Sequence, residues 1–190
     1  MTRVAGLYGA SPEEVFRKFK EHLDRLLHKT ITEAPLVLLS VGASAFLQFQ
    51  RSERPICVPV GHRYHLYVGQ TLQAAREDGR YRLRTLAYAY RIADGPTFDD
   101  QCLFRWEYNA REHKQSLAPR HHLQLPATIG CFGNRVLDTN KLHIPTGWVT
   151  VEEVIRFLIH ELRVKPRTHK WDGDLLASER LFREWSGRAT

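Results

Sequence analysis

The run Tyr81-Arg82-Leu83-Arg84-Thr85-Leu86-Ala87-Tyr88-Ala89-Tyr90-Arg91-Ile92, then Asp94-Gly95-Pro96, then Cys102-Leu103-Phe104-Arg105-Trp106-Glu107-Tyr108, decides the architecture. Its first part is rich in Tyr, Leu and Thr, and Tyr and Thr suit a pleated surface. The Asp-Gly-Pro triplet is a turn signal, after which Cys102, Phe104, Trp106 and Tyr108 alternate with Leu103, Arg105 and Glu107. Two such runs around a turn predict an antiparallel pair. A third begins at Pro119: His121, Leu123 and Leu125 fall on one face, Arg120, His122 and Gln124 on the other, and Pro126 ends it. The three segments predict a meander, followed by a Gly/Asn-containing loop over Ala127–Asn140.

Outward from this sheet the pattern turns helical at both ends. Ser11-Pro12-Glu13-Glu14 is a helix start, with Ser11 as cap, Pro12 in the first turn and Glu14 completing a capping box. Val15, Phe16, Phe19, Leu23, Leu26 and Leu27 then share one face to about Lys29. Thr150-Val151-Glu152-Glu153 is a second capping box, followed by Val154, Ile155, Leu158, Ile159 and Leu162, and Pro166 closes that helix. A last helix starts at Asp174, with Leu175, Leu176, Leu181, Phe182 and Trp185 as its apolar positions. Between the first helix and the meander, Leu36–Arg51 predicts one or two strands broken at Gly42. Pro55 and Pro59 confine Ile56–Val60 to an edge or a loop. Tyr64–Val68 predicts a short strand, and Gln70–Asp78 one or two helical turns ended by Gly79. The expected fold class is α+β, a central antiparallel sheet flanked by one N-terminal and two C-terminal helices. With no repeat, linker or low-complexity stretch, residues 1–190 are expected to form one domain.

Composition narrows the function less. At 43% hydrophobic and 26% charged residues the chain matches ordinary globular averages. The longest apolar stretch, Pro35–Phe49, is interrupted by Ser40, Gly42, Ser44 and Gln48, short of the roughly 20 apolar residues a spanning helix needs. The first ten residues hold no sustained apolar run, so no secretory leader is expected, and a cytoplasmic protein without membrane contact is the default. Cys57, Cys102 and Cys131 are widely spaced and odd in number, which suits reduced thiols better than disulfides or a zinc ribbon. The net charge of +7 favours an acidic or polyanionic partner such as RNA.

The densest polar group lies on the meander, where alternation sets Arg105 and Glu107 on a face with Arg120, His122 and Gln124. In phosphodiester cleavage without a metal, a His or Glu takes the 2′-hydroxyl proton, a His protonates the leaving oxygen and arginines hold the phosphate. His122, Glu107 and Arg105 are the candidate catalytic residues. Arg120, Gln124 and His143, in the loop ahead of the second helix, are candidate substrate contacts. The plain alternative is a solvated sheet face with ordinary cross-strand Arg–Glu pairs. His121 and His122 are adjacent in a strand, so they point to opposite faces. His121, running with Leu123 and Leu125, reads as a half-buried structural imidazole. Tyr88, Tyr90, Trp106 and Tyr108 suggest a base-stacking platform, yet aromatics at alternate strand positions more often face a core. No HExxH, paired Cys/His, Walker A, GxGxxG or GxSxG pattern occurs, so neither a metal nor a cofactor is expected.

The stretches Leu86-Ala87-Tyr88-Ala89-Tyr90, Phe104-Arg105-Trp106-Glu107-Tyr108-Asn109 and Pro119-Arg120-His121-His122 resemble TumE-like toxins of bacterial toxin–antitoxin modules. In that family a tyrosine-rich strand precedes an FRYDN-like strand and a segment with spaced histidines. The likeness covers about 40 of 190 residues. Glu107 and Tyr108 depart from the family's aspartate-asparagine strand, the histidines here are adjacent, and the terminal helices are additional. The resemblance implies a growth-inhibiting toxin with a cognate antitoxin protein, and charge together with the Arg/His/Glu face implies endoribonuclease activity. A non-catalytic binding or regulatory protein, holding an acidic or nucleic-acid partner on the same face, is the competing expectation.

Overall fold

The computed structural model describes residues 6–110, 119–125, 131–132, 135–136 and 142–186. In chain order these form β1 (Tyr8–Gly9), α1 (Pro12–Thr30), β2 (Val37–Val41), β3 (Ser44–Gln48), β4 (Gln50–Arg51), β5 (Arg54–Pro55), β6 (Val58–Val60), β7 (Tyr64–Glu77) and β8 (Arg80–Ala93). They continue with β9 (Cys102–Asn109), β10 (His121–Gln124), β11 (Cys131–Phe132), β12 (Arg135–Val136), β13 (His143–Pro145), α2 (Val151–His160) and α3 (Trp171–Ser186). The fold is α+β, with one helix before the sheet and two after it.

The centre is the β7–β8 hairpin, in which each residue of His65–Glu77 pairs with a residue of β8. The turn needs left-handed backbone at Asp78 and Gly79, φ +48° and +76°, which Gly and Asp adopt most readily. Antiparallel neighbours extend the sheet in the order β13-β10-β9-β8-β7-β3-β2, with β1 on β8 and β6 on β7. Gln70–Asp78, expected as helical turns, is strand instead. Gln, Ala and Arg favour a helix, but Gln70, Leu72 and Ala74 are buried alternately, and β3 and β8 hydrogen-bond the segment from both sides. Tertiary pairing here overrides intrinsic propensity. The Thr71/Leu72 step carries a bulge, where Thr71 faces Ala87 and Leu72 faces Thr85. Leu86 is left over, and its carbonyl accepts from Ala110 N at 2.9 Å.

All three helices lie on one face of the sheet. The six apolar positions read along α1 are all buried, and Ser11 accepts from Glu14 N. Glu14 reaches Ala10 N at 2.6 Å and so closes the cap one residue earlier than a capping box does. The Thr150 box is complete, and Val154, Ile155, Leu158 and Ile159 of α2 are buried. Trp106 is buried, with Phe104 stacked beside it, and Phe157 of α2 meets both rings edge-on at about 5 Å. The last helix begins at Trp171 rather than Asp174. Leu176 and Leu181, counted as apolar positions from sequence, are exposed, while Leu175 and Ser178 turn inward. The Pro35–Phe49 stretch is only half core: Leu39 and Val41 on the edge strand β2 are exposed. Cys57 and Cys102 are free thiols. Within Ala127–Asn140, read as a loop, β11 and β12 pair with each other; the rest of that segment lies outside the described residues. Among the described residues no helix is long and apolar enough to cross a membrane.

One polar chain crosses the helix layer. Ser178 Oγ donates to Glu152 Oε1 and accepts from His22 Nε2 at 2.8 Å, and Trp185 meets the His22 ring edge-on at 4.8 Å. Burial, with Arg25 adding to it, pushes His22 down to about 4, whereas burial raises Glu152. The two act oppositely on stability. His22 is stabilising while neutral, and that contribution is lost as pH falls from about 6.5 through about 4; Glu152 is stabilising while protonated, and its contribution fades as pH rises above the usual carboxylate value. Urea unfolding between pH 7 and 4 should therefore cost the wild type on the order of 2 kcal/mol more than His22→Gln, and Glu152→Gln should gain on the wild type as pH rises above 5. Parallel pH profiles for all three proteins would contradict this.

Candidate functional site

The register of the last three strands builds a polar ring on the face away from the helices. His122 stands opposite Glu107 and Gln124 opposite Arg105 in the β9–β10 pair, and β13 sets His143 opposite Gln124. Residues directly opposite in an antiparallel ladder share a face, with Cβ atoms about 5 Å apart. Arg105, Gln124 and His143 thus form one row across three strands, and Glu107 and His122 the row beside it.

The rows are closed by contacts. Arg105 Nη2 donates to Gln124 Oε1, and Gln124 Nε2 donates to His143 Nε2 at 2.5 Å. Arg105 Nε stands 3.3 Å from Glu107 Oε2, at ion-pair distance but without hydrogen-bond alignment. His122 Nε2 lies 3.5 Å from the same carboxylate oxygen. The other His122 nitrogen, Nδ1, is 2.9 Å from the Pro119 carbonyl. A carbonyl only accepts, so Nδ1 carries hydrogen and Nε2 is the atom left to gain or lose a proton. The His122 and His143 rings meet edge-on, centroids 4.7 Å apart. Side-chain exposure is 39% for Arg105, 32% for Glu107 and 12% for His122, so the two charged groups are reached by solvent and the imidazole sits deeper between them.

Of the six residues singled out from sequence, five join this ring. Arg120 does not: it is exposed, precedes the first residue of β10 and makes none of these contacts. His121 faces the helices, stacked on Tyr108 at 4.3 Å, with its Nδ1 3.3 Å from the Tyr88 hydroxyl. Tyr88 Oη also accepts from Val149 N at 3.0 Å, which ties the lead-in to α2 to the sheet. Tyr88, Tyr90 and Trp106 are buried under the helices and present no base-stacking surface.

Beside the ring the sheet is hollow. A trough of about 230 Å³ has Gly69, Thr71, Ala87 and Ala89 as its floor. Phe46 and Tyr67 stand on one side of that floor, and Glu107, Asn109 and His122 on the other. These small and aromatic residues escaped the sequence reading. The available signal was Ala87-Tyr88-Ala89-Tyr90, whose alternation puts all bulk on one face and only methyl groups on the other. Burial holds the Tyr67 phenol up at about 12, so it stays protonated and donates to Gln48 Oε1 at 2.8 Å. Below the trough the 94–101 turn folds back on the sheet: Arg91 Nη1 donates to the Phe98 carbonyl at 2.9 Å, and Phe98 meets Tyr67 edge-on. A larger cavity of about 320 Å³ on the helix side, between Leu7, Phe19, Trp148, Phe182 and Trp185, has no imidazole or carboxylate in its lining. Chemistry, not size, therefore selects the trough. Among the described residues no group of three His, Cys, Asp or Glu side chains is arranged to hold a metal ion.

The chain matches no protein-family model, no curated protein and no solved structure.

Tyr67 is seated over Gly69, where an added Cβ would lie 2.3 Å from its hydroxyl oxygen and 2.7 Å from Cζ. Because the ring is held by Gln48 and Phe98, Gly69→Ala should destabilise the fold by roughly 1–3 kcal/mol. In a Tyr67→Ala background the same substitution should cost much less, which a double-mutant cycle in urea measures. Equal costs in both backgrounds would mean that the phenol does not shape the trough.

Proposed function

We propose that the protein is a metal-independent endoribonuclease of the toxin kind, with Glu107, His122 and Arg105 as its working centre. The observation that supports this reading is that an imidazole and a carboxylate from adjacent strands open together onto a hollow flanked by aromatic rings, with the Arg105 guanidinium at ion-pair distance behind that carboxylate. Half-buried Phe46 offers a face for a base at the side of the trough, since stacking accepts any nucleobase. Arg105 offers a fixed positive charge for the phosphate. His122 Nε2 takes the 2′-hydroxyl proton while the 2′-oxygen bonds to phosphorus, and the neighbouring Glu107 carboxylate stabilises the imidazolium that forms. The bond from phosphorus to the 5′-oxygen breaks and that oxygen takes a proton from water, the His122 imidazolium returning its own to the solvent, while His143, whose Nε2 accepts from Gln124, serves as a substrate contact. The products are a 2′,3′-cyclic phosphate and a 5′-hydroxyl end. The resemblance to TumE-like toxins and the net charge of +7 support an RNA target and a cognate antitoxin that blocks the open sheet face.

A non-catalytic surface for an acidic partner is favoured by one observation: Arg105, Gln124 and His143 are already paired among themselves. Kinetics separate the two readings. His122→Ala should lower turnover about 100-fold or more with KM little changed, because it acts on the proton. Arg105→Ala should weaken both, because a phosphate contact exists in the bound and transition states alike. Ala89→Leu, which fills the trough floor, should raise KM with little loss of stability. The chemistry assigned to these residues needs no metal, so cleavage should persist in EDTA. Expression should arrest growth, and His122→Ala should relieve the arrest at equal solubility. Absence of RNA cleavage by the pure protein, or a His122→Ala variant as active as its parent, would leave only the binding reading.

A further inference from the structure

A second cleft, of about 300 Å³, opens where the turn between β6 and β7 meets the chain leaving α2. Its rim carries His62 and Arg63 from the turn and Arg163 and Lys165 from the helix exit, around Tyr64 and the buried Val164. Among the described residues no carboxylate lines this cleft, and none pairs with Arg63, Arg163 or Lys165. Cations at a helix C-terminus are ordinarily explained by the helix dipole. That accounts for Arg163 and Lys165 but not for His62 and Arg63, which a separate part of the chain brings against them. Arg63 from one segment and Arg163 and Lys165 from another thus line one hollow, and an anion there would offset their mutual repulsion.

The backbone supplies an independent observation. Arg163 has φ +56°, in the left-handed region, just beyond the end of α2. Val164 N donates to the Leu158 carbonyl at 3.0 Å, locking the reversal around it. Glycine is the usual residue at such a helix exit, because a side chain there is strained. An arginine kept in that conformation, aimed at a cleft without acids, is costly to the fold and useful to a ligand.

The geometry points to this cleft as a binding site for the phosphodiester backbone of single-stranded RNA. The partner class rests on the ribonuclease reading, although the cleft shares no residue with the polar ring. Tyr64 opens β7 and turns to the helix side with Val164, the face opposite Gly69 and the trough, so the cleft is a backbone contact separate from the trough and not part of one straight path along the strand.

The test uses the full chain and a short single-stranded RNA with 2′-O-methyl riboses, which cannot be cleaved through the 2′-oxygen, so that binding is read apart from turnover. Affinity is measured across a salt series for the wild type, for Arg163→Gly, and for Arg63→Gln, Arg163→Gly and Lys165→Gln combined. Removing three phosphate contacts should make the slope of log K against log salt shallower by about 2 and lower the affinity at low salt at least tenfold. Arg163→Gly alone should weaken binding while its thermal midpoint stays level or rises, a combination that damage to the fold cannot produce. An unchanged slope in the triple variant, or no RNA binding by the wild type, would overturn the assignment. An equal loss of affinity for a polyglutamate peptide would also overturn it, replacing a phosphodiester site with a general acidic-partner surface. If binding responds as expected but unmodified RNA is never cleaved, the cleft stands and the ribonuclease reading falls.

Discussion

The structure depends on the pairing of β7 with β8, and within it on a contrast of side-chain size. Opposite Val68 and Gln70, β8 places Tyr90 and Tyr88; opposite Gly69 and Thr71 it places Ala89 and Ala87. Successive strand residues point to opposite faces, so at these positions one face receives the two tyrosine rings of β8 and the other receives only Gly, Thr and Ala side chains. On the helix side the two tyrosines stack at 4.8 Å, Gln70 Nε2 donates to Tyr90 Oη at 3.1 Å, and Tyr88 anchors Val149. The same alternation leaves the hollow beside Glu107 and His122. Core and trough are two sides of one pairing, and a slip of one residue would exchange them.

This explains what could be read in advance. The α1 stripe and the helix starts at Ser11 and Thr150 are local signals, legible because each is decided within a few residues of chain. The Arg105/Glu107 and His122/Gln124 face was legible because period two holds inside any strand. His143 could be suspected but not placed, since its position depends on β13 returning to β10 after a long intervening segment. Arg120 was over-read: its alternation with His122 holds only if the strand extends back to it, and pairing begins at His121. Gln70–Asp78 was misread because its composition favours a helix while its burial alternates in steps of two, and only the flanking strands decide between them. The trough could not be read at all, because small residues are inconspicuous until neighbouring strands align them.

The His22–Ser178–Glu152 chain and the Glu107–His122 pair each combine an imidazole with a carboxylate, and access distinguishes them. The His22–Ser178–Glu152 chain borders a space of about 10 Å³, no larger than one water, and its carboxylate is 3% exposed. No substrate reaches it, so its consequence is a pH-dependent tie between α1, α2 and α3. The Glu107–His122 pair opens onto a space more than twenty times larger, and its acid remains in contact with solvent. Proton transfer to a bound molecule needs such an opening as much as it needs a titrating group.

The faces also differ in what they contribute to the fold. The main buried cluster runs from Leu7 through α1, the sheet and α2 to Leu175, nearly all of it on the helix side. The open face adds a small cluster of Cys57, Tyr67 and Ala93, with Ala89 packed against it. Apolar burial dominates stability, so the ring side chains at the far edge of the open face contribute little to it. A surface with this division accommodates polar groups that pair imperfectly, such as the Arg105 Nε beside Glu107, and positions that leave a hollow unfilled. Those features destabilise a core; on a face relieved of that role they remain available for a ligand.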